Sequence, residues 1–246
     1  MAQNYCVKVE PHCHTLVSAH AHSTLQENLQ TAKDKNMDGL CLTNHGPGIP
    51  DGAHEWHFGT LRYIPKIVDG IAFFSGIEAN IIDYDGSLCV SDNTLAALDW
   101  VIASIHTPCL KKSTVEKITE AYIGALNNKF VHCLGHSGQS NYLYDFEEVI
   151  KTAKKLNKVI EINNHSLSSD DVRPGSRKNC LEIARLCKKH GTNITVSSDA
   201  HYCGQIGDYK SAFGMLESID FPAELIINAS LEKFKNYLLE AKKCIL

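Results

Sequence analysis

The chain has no stretch approaching the roughly 18 uninterrupted apolar residues that a membrane-spanning helix needs, so no membrane partner is expected. Its opening, MAQNYCVKVEPHCH, lacks a basic start followed by an apolar run. That argues against a secretory leader and for a cytoplasmic location. A basic excess is missing too: 24 Lys and Arg stand against 28 Asp and Glu, for a formal charge of −4. A dedicated nucleic-acid binder would carry the opposite balance, so no nucleic-acid partner is expected. Ten cysteines are present but no CxxC pair, and reduced, buried thiols are the expected state. The terminal CIL places Cys244 third from the end rather than fourth, which is no prenylation box. No linker rich in proline, glycine and serine, no low-complexity run and no repeat divides the 246 residues. One domain over 1–246 is expected, a length that single α/β barrels routinely reach.

What is present is a regular alternation. Short apolar runs with the character of buried strands occur at 5–9, 39–43, 71–79, 100–106, 130–136, 158–164 and 193–200. ELIIN at 224–228 is a weaker eighth candidate. Segments with helical spacing lie between them. Ser113 with Glu116, and Asp145 with Glu148, have the spacing of helix-capping pairs. From Ser230 onward, Leu231, Phe234, Leu238 and Ala241 share one face. DYDG at 83–86 is a turn signal that folds the third strand back on itself. Strands alternating with helices point to an α/β protein with a parallel sheet, and seven such units favour a barrel over an open sheet.

Histidine is the other feature present in quantity. There are 13 in the chain, and four of them (His12, His14, His20, His22) fall within 11 residues. Composition alone gives such a window about 0.6. The rest recur where strands end. His12 and His14 follow the first run, His45 the second, Glu78 closes the third, His106 the fourth and His136 the fifth. Asp199 and His201 close the seventh. In a parallel barrel these positions share one rim, where active sites of such barrels are built. His12, His14, His20, His45, Glu78, His106, His136, Asp199 and His201 thus form a candidate metal set. Imidazole with carboxylate suits zinc, iron or manganese, and nine groups suffice for two or three ions. On an extended segment His12 and His14 point to one side and Cys13 to the other.

HCHT at 12–15, TNHG at 43–46, GIEAN at 76–80, GHS at 135–137 and SSDAH at 197–201 together resemble the motifs of the PHP family (polymerase and histidinol phosphatase) of metal-dependent phosphoesterases. HEWHF at 54–58, EINN at 161–164 and the extra His20 are similar to a bacterial branch of YcdX-like phosphatases. The resemblance implies a distorted (βα)7 TIM-like barrel of the PHP type and three divalent ions per chain, typically Zn2+, with Mn2+ or Fe as alternatives. It groups His12, His14, Glu78 and Asp199 on one ion, Glu78, His106 and His136 on a second, and His20, His45 and His201 on a third. A homotrimer is compatible with it. Three positions depart from the family pattern: Asn44 where an aspartate is usual, Glu10 before the HxH, and Ser137 for the proline of HPG. Asn44 is expected to weaken carboxylate support for a neighbouring imidazole.

The expected activity is that of a metal-dependent phosphatase that hydrolyses a small phosphomonoester with metal-activated hydroxide. Glu78 and Asp199 serve that reaction, His57 is a candidate substrate contact, and Arg62, Arg173 and Arg177 are candidate phosphate clamps because guanidinium binds phosphate bidentately. No GxSxG elbow or CxxxxxR loop suggests a nucleophilic side chain. The alternatives are an amidohydrolase-like metal-dependent hydrolase and a non-catalytic metal-binding PHP module. The first usually carries a lysine where His106 stands; the full ligand set speaks against the second.

Overall fold

The computed structural model describes residues 5–168, 173 and 175–243; Cys244 and most of the DVRP segment lie outside the described residues. The strands are β1 (Val9–Cys13), β2 (Gly39–Leu42), β3 (Ile67–Val68), β4 (Ile71–Asn80), β5 (Trp100–Ser104), β6 (Cys133–Leu134), β7 (Val159–Asn163) and β8 (Ile194–Ser197). The helices are α1 (Leu25–Asp34), α2 (Glu55–Thr60), α3 (Asp92–Ala96), α4 (Val115–Asn127), α5 (Phe146–Lys155), α6 (Asn164–Ser168), α7 (Ser176–His190), α8 (Lys210–Glu217) and α9 (Leu231–Lys243). The parallel path runs β1-β2-β4-β5-β6-β7-β8, with β3 paired antiparallel to β4. This is the expected seven-stranded, TIM-like α/β barrel, nearly closed.

Several local boundaries move from their sequence positions. The first strand begins at Val9, four residues later than YCVKV suggested, so His12 lies inside it. The cap of α4 is Thr114, whose hydroxyl accepts from Lys117 N at 3.4 Å, rather than Ser113. Asp145 caps α5 as expected, accepting from Glu148 N at 2.9 Å. DYDG does fold the chain back, through the antiparallel bridge Ile81–Leu88.

Strand alternation sorts the side chains into two cores. Phe73, Ile77, Ala79, Val101, Ala103, Ile160 and Ile162 face the helices. Cys41, Phe74, Trp100, Ile102, Cys133 and Val159 pack together in the second cluster, with Phe234, Tyr237 and Leu238 of α9 against them. Trp100 and Phe234 have ring centroids 5.0 Å apart, and Phe74 and Phe234 5.2 Å. Helix α9 thus plugs the barrel at the strands' N-terminal ends. Along each strand the inward column then turns polar: Phe74 to Glu78 in β4, Ile102 to Ser104 in β5, Val159 to Glu161 in β7. The same period-2 alternation that buries the plug therefore delivers polar groups to the other mouth.

Candidate metal centre

Two backbone irregularities aim the ligand candidates. In β1 the register against β2 shifts between Glu10 and Cys13. That bulge, at Pro11, lets Val9 and His12 both face inward although they are three residues apart. Cys13 then packs in the outer core while His12 and His14 are wholly buried inside. His136 and Asp199 have φ of 26° and 52°, in the left-handed region that costs a non-glycine residue energy. Extended continuation of β6 would send His136 outward with Leu134; the positive φ turns it in.

Glu78, fully buried, is the hub. Its Oε1 lies 2.6 Å from His136 Nε2 and 3.3 Å from His106 Nε2. Its Oε2 lies 2.7 Å from His45 Nδ1, 3.4 Å from His12 Nε2 and 3.6 Å from His14 Nε2. Asp199 Oδ1 is 3.4 Å from His12 Nε2 and 3.1 Å from His14 Nε2. Ligand atoms around one tetrahedral zinc are spaced about 3.3 Å apart. Three compact sets emerge, each with its ligand atoms within 4.8 Å: His12, His14 and Asp199; His45, Glu78 and His106; His14, His45 and His201. His14 and His45 therefore stand between groups that the family resemblance separated. His20 is exposed, stacked at 4.5 Å on His201 and 5.0 Å on His45.

Unpartnered atoms test whether these residues fit metal ions. Twelve buried side-chain N or O atoms among the described residues have no hydrogen bond. Seven belong here: His12 Nε2, His14 Nδ1, His45 Nδ1, Glu78 Oε2, His106 Nε2, His136 Nδ1 and His201 Nε2. Each orphaned buried polar atom costs about 1–3 kcal/mol, so seven in one cluster are a set of donors awaiting an acceptor. Nitrogen and carboxylate oxygen without thiolate suits zinc, manganese or iron. The residues fit.

The opposite ring nitrogens are held by protein. His12 Nδ1 meets Glu161 Oε1 at 2.6 Å, His106 Nδ1 meets Asn80 Oδ1 at 2.7 Å, and His201 Nδ1 meets Asp199 O at 2.9 Å. Such partners fix ring orientation and tautomer. Glu161 is itself fixed by Ser197 Oγ at 2.6 Å and His136 N at 2.6 Å. Burial pushes the carboxyls of Glu78 and Asp199 up, yet the surrounding histidines hold both well below the usual range. Burial lowers His106 and His201 to about 4, against the pull of Glu78 and Asp199. Both are neutral imidazoles at neutral pH, the ligating form.

The remaining candidates divide. Arg173 lines the cleft, with NH1 on Asp199 Oδ2 at 3.2 Å and Ser166 Oγ at 2.7 Å. Arg62 is not brought there: it is exposed and stacks on Tyr63, 5.1 Å from the ring. Arg177 donates to Leu167 O at 2.7 Å and lines a separate groove between α7 and α8. His57 lies behind the site, its Nε2 3.1 Å from Asn44 Nδ2. Among the described residues, the side chain of Asn44 bonds Thr15, Ser18 and His57 and none of the ligand-candidate rings. Its Oδ1 accepts from Thr15 N at 2.8 Å and Ser18 Oγ at 3.2 Å, so it braces the first loop. Glu10 ties β1 to the chain after β8, accepting from Ser198 Oγ at 2.6 Å and Tyr209 OH at 2.9 Å. The cleft over the cluster, about 550 Å3, also takes in Asp51, Gln139, Asn141 and His165. Sequence gave no signal for Asp51, which lies at no strand end; His165 follows EINN directly.

Residues 10–167 match the PHP domain. A probable phosphatase of Caldicellulosiruptor bescii is 44% identical over 232 residues, covering 94% of this chain and 95% of the relative. Another, of Acetivibrio thermocellus, is 40% identical over 237 residues, covering 96% and 97%. Among solved structures, histidinol phosphate phosphatase from Lactococcus lactis, complexed with zinc, L-histidinol and phosphate, aligns at TM-score 0.58 and 15% identity over 89% of this chain and 93% of that one. At that identity the likeness is one of fold.

Proposed function

The chain belongs to the PHP family and is a phosphatase, and from that premise we propose that its cleft hydrolyses a small phosphomonoester at three divalent ions, zinc foremost. The observation that carries this reading is the cluster of seven orphaned side-chain atoms, Glu78 Oε2 and six imidazole nitrogens, from residues gathered at the barrel mouth. His12, His14, Glu78 and Asp199 would hold one ion, Glu78, His106 and His136 a second, and His20, His45 and His201 a third. When bound, such ions bring the pKa of a coordinated water near neutrality and offset the charge of phosphate oxygens.

The protein's own groups do the positioning. Arg173 holds the outer oxygen of Asp199 and leaves the inner one facing His12 and His14. Glu161 keeps His12 Nε2 turned inward. Ile49, Pro50, Ile105 and Pro108 form an apolar wall for the body of the substrate, and the amides of Gln139 and Asn141 line the same cleft. A cleft of this volume suits a drug-sized or smaller molecule.

The test is to strip metal with a chelator, assay an aryl phosphate, then restore zinc or manganese while counting metal per chain. Hydrolysis should vanish and return, with about three ions per chain in the active protein. Unchanged hydrolysis by metal-free protein would reject the mechanism, and one ion per chain would reject the trinuclear site.

A further inference from the structure

Three imidazoles of the cluster share one design: one ring nitrogen is held by an oxygen of the protein and the other is left without a partner. His12 does so through Glu161, His106 through Asn80, and His201 through the Asp199 carbonyl. His20 sits apart from them, half-exposed on the first loop. It has the same kind of partner, because its Nδ1 is in hydrogen-bond contact with Asp51 Oδ2.

Asp51 reaches His20 through a turn that only glycine allows. The chain after His45 doubles back, with Ala53 N donating to His45 O at 2.9 Å and Gly52 N to Ile49 O at 3.1 Å. A Cβ on Gly52 would lie 2.2 Å from Gly46 O, so the return passes against the backbone that follows His45. Ala19 N donates to Asp51 O at 3.4 Å, which straps the first loop to the same turn. One turn therefore links two of the three groups assigned above to the third ion, His20 and His45.

We infer that Asp51 is the positioning residue for His20, fixing its ring so that Nε2 faces His45 and His201 and completes the third metal site. The inference rests on the trinuclear reading. A carboxylate behind a ligating imidazole also raises its basicity, and loss of such a partner typically weakens metal binding by about 10–100-fold.

The test uses the whole chain and reads metal directly. Zinc per chain and the affinity of the weakest site, by chelator competition, are measured for wild type, Asp51→Ala, Asp51→Asn, Gly52→Ala, His20→Ala and the Asp51→Ala/His20→Ala double variant. Wild type should hold about three ions. Asp51→Ala should drop to about two at limiting zinc, with the weakest site loosened by about 10–100-fold. Asp51→Asn keeps an acceptor oxygen and should recover most of that loss. Gly52→Ala should imitate Asp51→Ala, and the double variant should be no worse than His20→Ala alone. Three ions at unchanged affinity in Asp51→Ala would overturn the inference while leaving the trinuclear reading standing, as would additive losses in the double variant. Fewer than three ions in wild type would overturn the reading, and the inference with it.

Discussion

Among single residues, Glu78 carries the greatest consequence. Five imidazole nitrogens lie between 2.6 and 3.6 Å from its two oxygens, and nothing else in the barrel touches so many of the candidate ligands. If it bridges two ions, Glu78→Ala loses both together: metal per chain falls from about three to about one, and kcat/KM drops by at least about 100-fold. Metal analysis of the folded variant checks this, and loss of a single ion contradicts bridging. Glu78 was legible in sequence because GIEAN closes an apolar run, and the same logic located His12, His45, His106, His136, Asp199 and His201. Where a residue's placement depended on a loop rather than a strand end, the pattern carried no direction. Arg62, in a 3-10 turn, and Arg177, in the first turn of α7, have the right chemistry but face elsewhere, and Asp51 reaches His20 only because Gly52 lets the chain double back.

Elements were read from period and from turn residues, and each signal has a blind spot. Continuous apolar runs identified β4, β5, β7 and β8 because both faces of those strands are buried. The run YCVKV misplaced β1, because the strand itself starts only at Val9 and continues through Glu10, Pro11 and His12, which no apolar run marks. DYDG announced a turn but not its partner. Gly86, at φ 84°, packs against α4 at Gly124, where an added Cβ would lie 1.9 Å from Asp85 O. Neither glycine has room for a methyl group. Gly124→Ala should therefore push the turn off α4 and destabilise the chain by about 1–3 kcal/mol, the usual range for overpacking. No ligand candidate lies in the turn or on α4, so metal per chain should stay at the wild-type value. Denaturant unfolding with metal analysis measures both. A stability loss accompanied by loss of metal would mean that the turn supports the site and does not merely cover the barrel wall.

At the scale of the whole molecule, the weak point is the seam between β1 and β8. The two strands meet by a backbone bridge only at the mouth, where Cys13 pairs with Ala200 and His14 N donates to Ala200 O at 2.9 Å. Lower down, a side chain replaces the missing ladder. ELIIN forms no eighth strand; beyond one parallel bridge from Ile226 to Ile194 and a bond from Lys8 N to Asn228 O at 3.0 Å, it folds into short 3-10 turns and inserts the Asn228 side chain into the gap. Its Nδ2 donates to Val9 O at 2.9 Å and Val196 O at 2.7 Å, and its Oδ1 accepts from Val196 N at 3.1 Å. The fully buried Asn228 amide thus joins those two backbone contacts in doing what a strand pair would do. Asn228→Ala strands one donor and two acceptors, a loss of about 3 kcal/mol. For a chain of this length that is a fall in Tm of about 6–12 °C in metal-free protein. Asn228→Asp keeps the acceptor but turns an anion toward two carbonyl oxygens, and should fare no better. The ligand candidates straddle this seam, with His12 and His14 on β1 and Asp199 and His201 beyond β8. Ions bound across it would hold the barrel shut from the mouth, so zinc should bind Asn228→Ala more weakly at the His12, His14 and Asp199 group while leaving the His106 side near its wild-type affinity. Calorimetry of both variants without metal, followed by zinc titration, separates the two effects. A Tm within about 2 °C of wild type for both would show that the seam closes without Asn228.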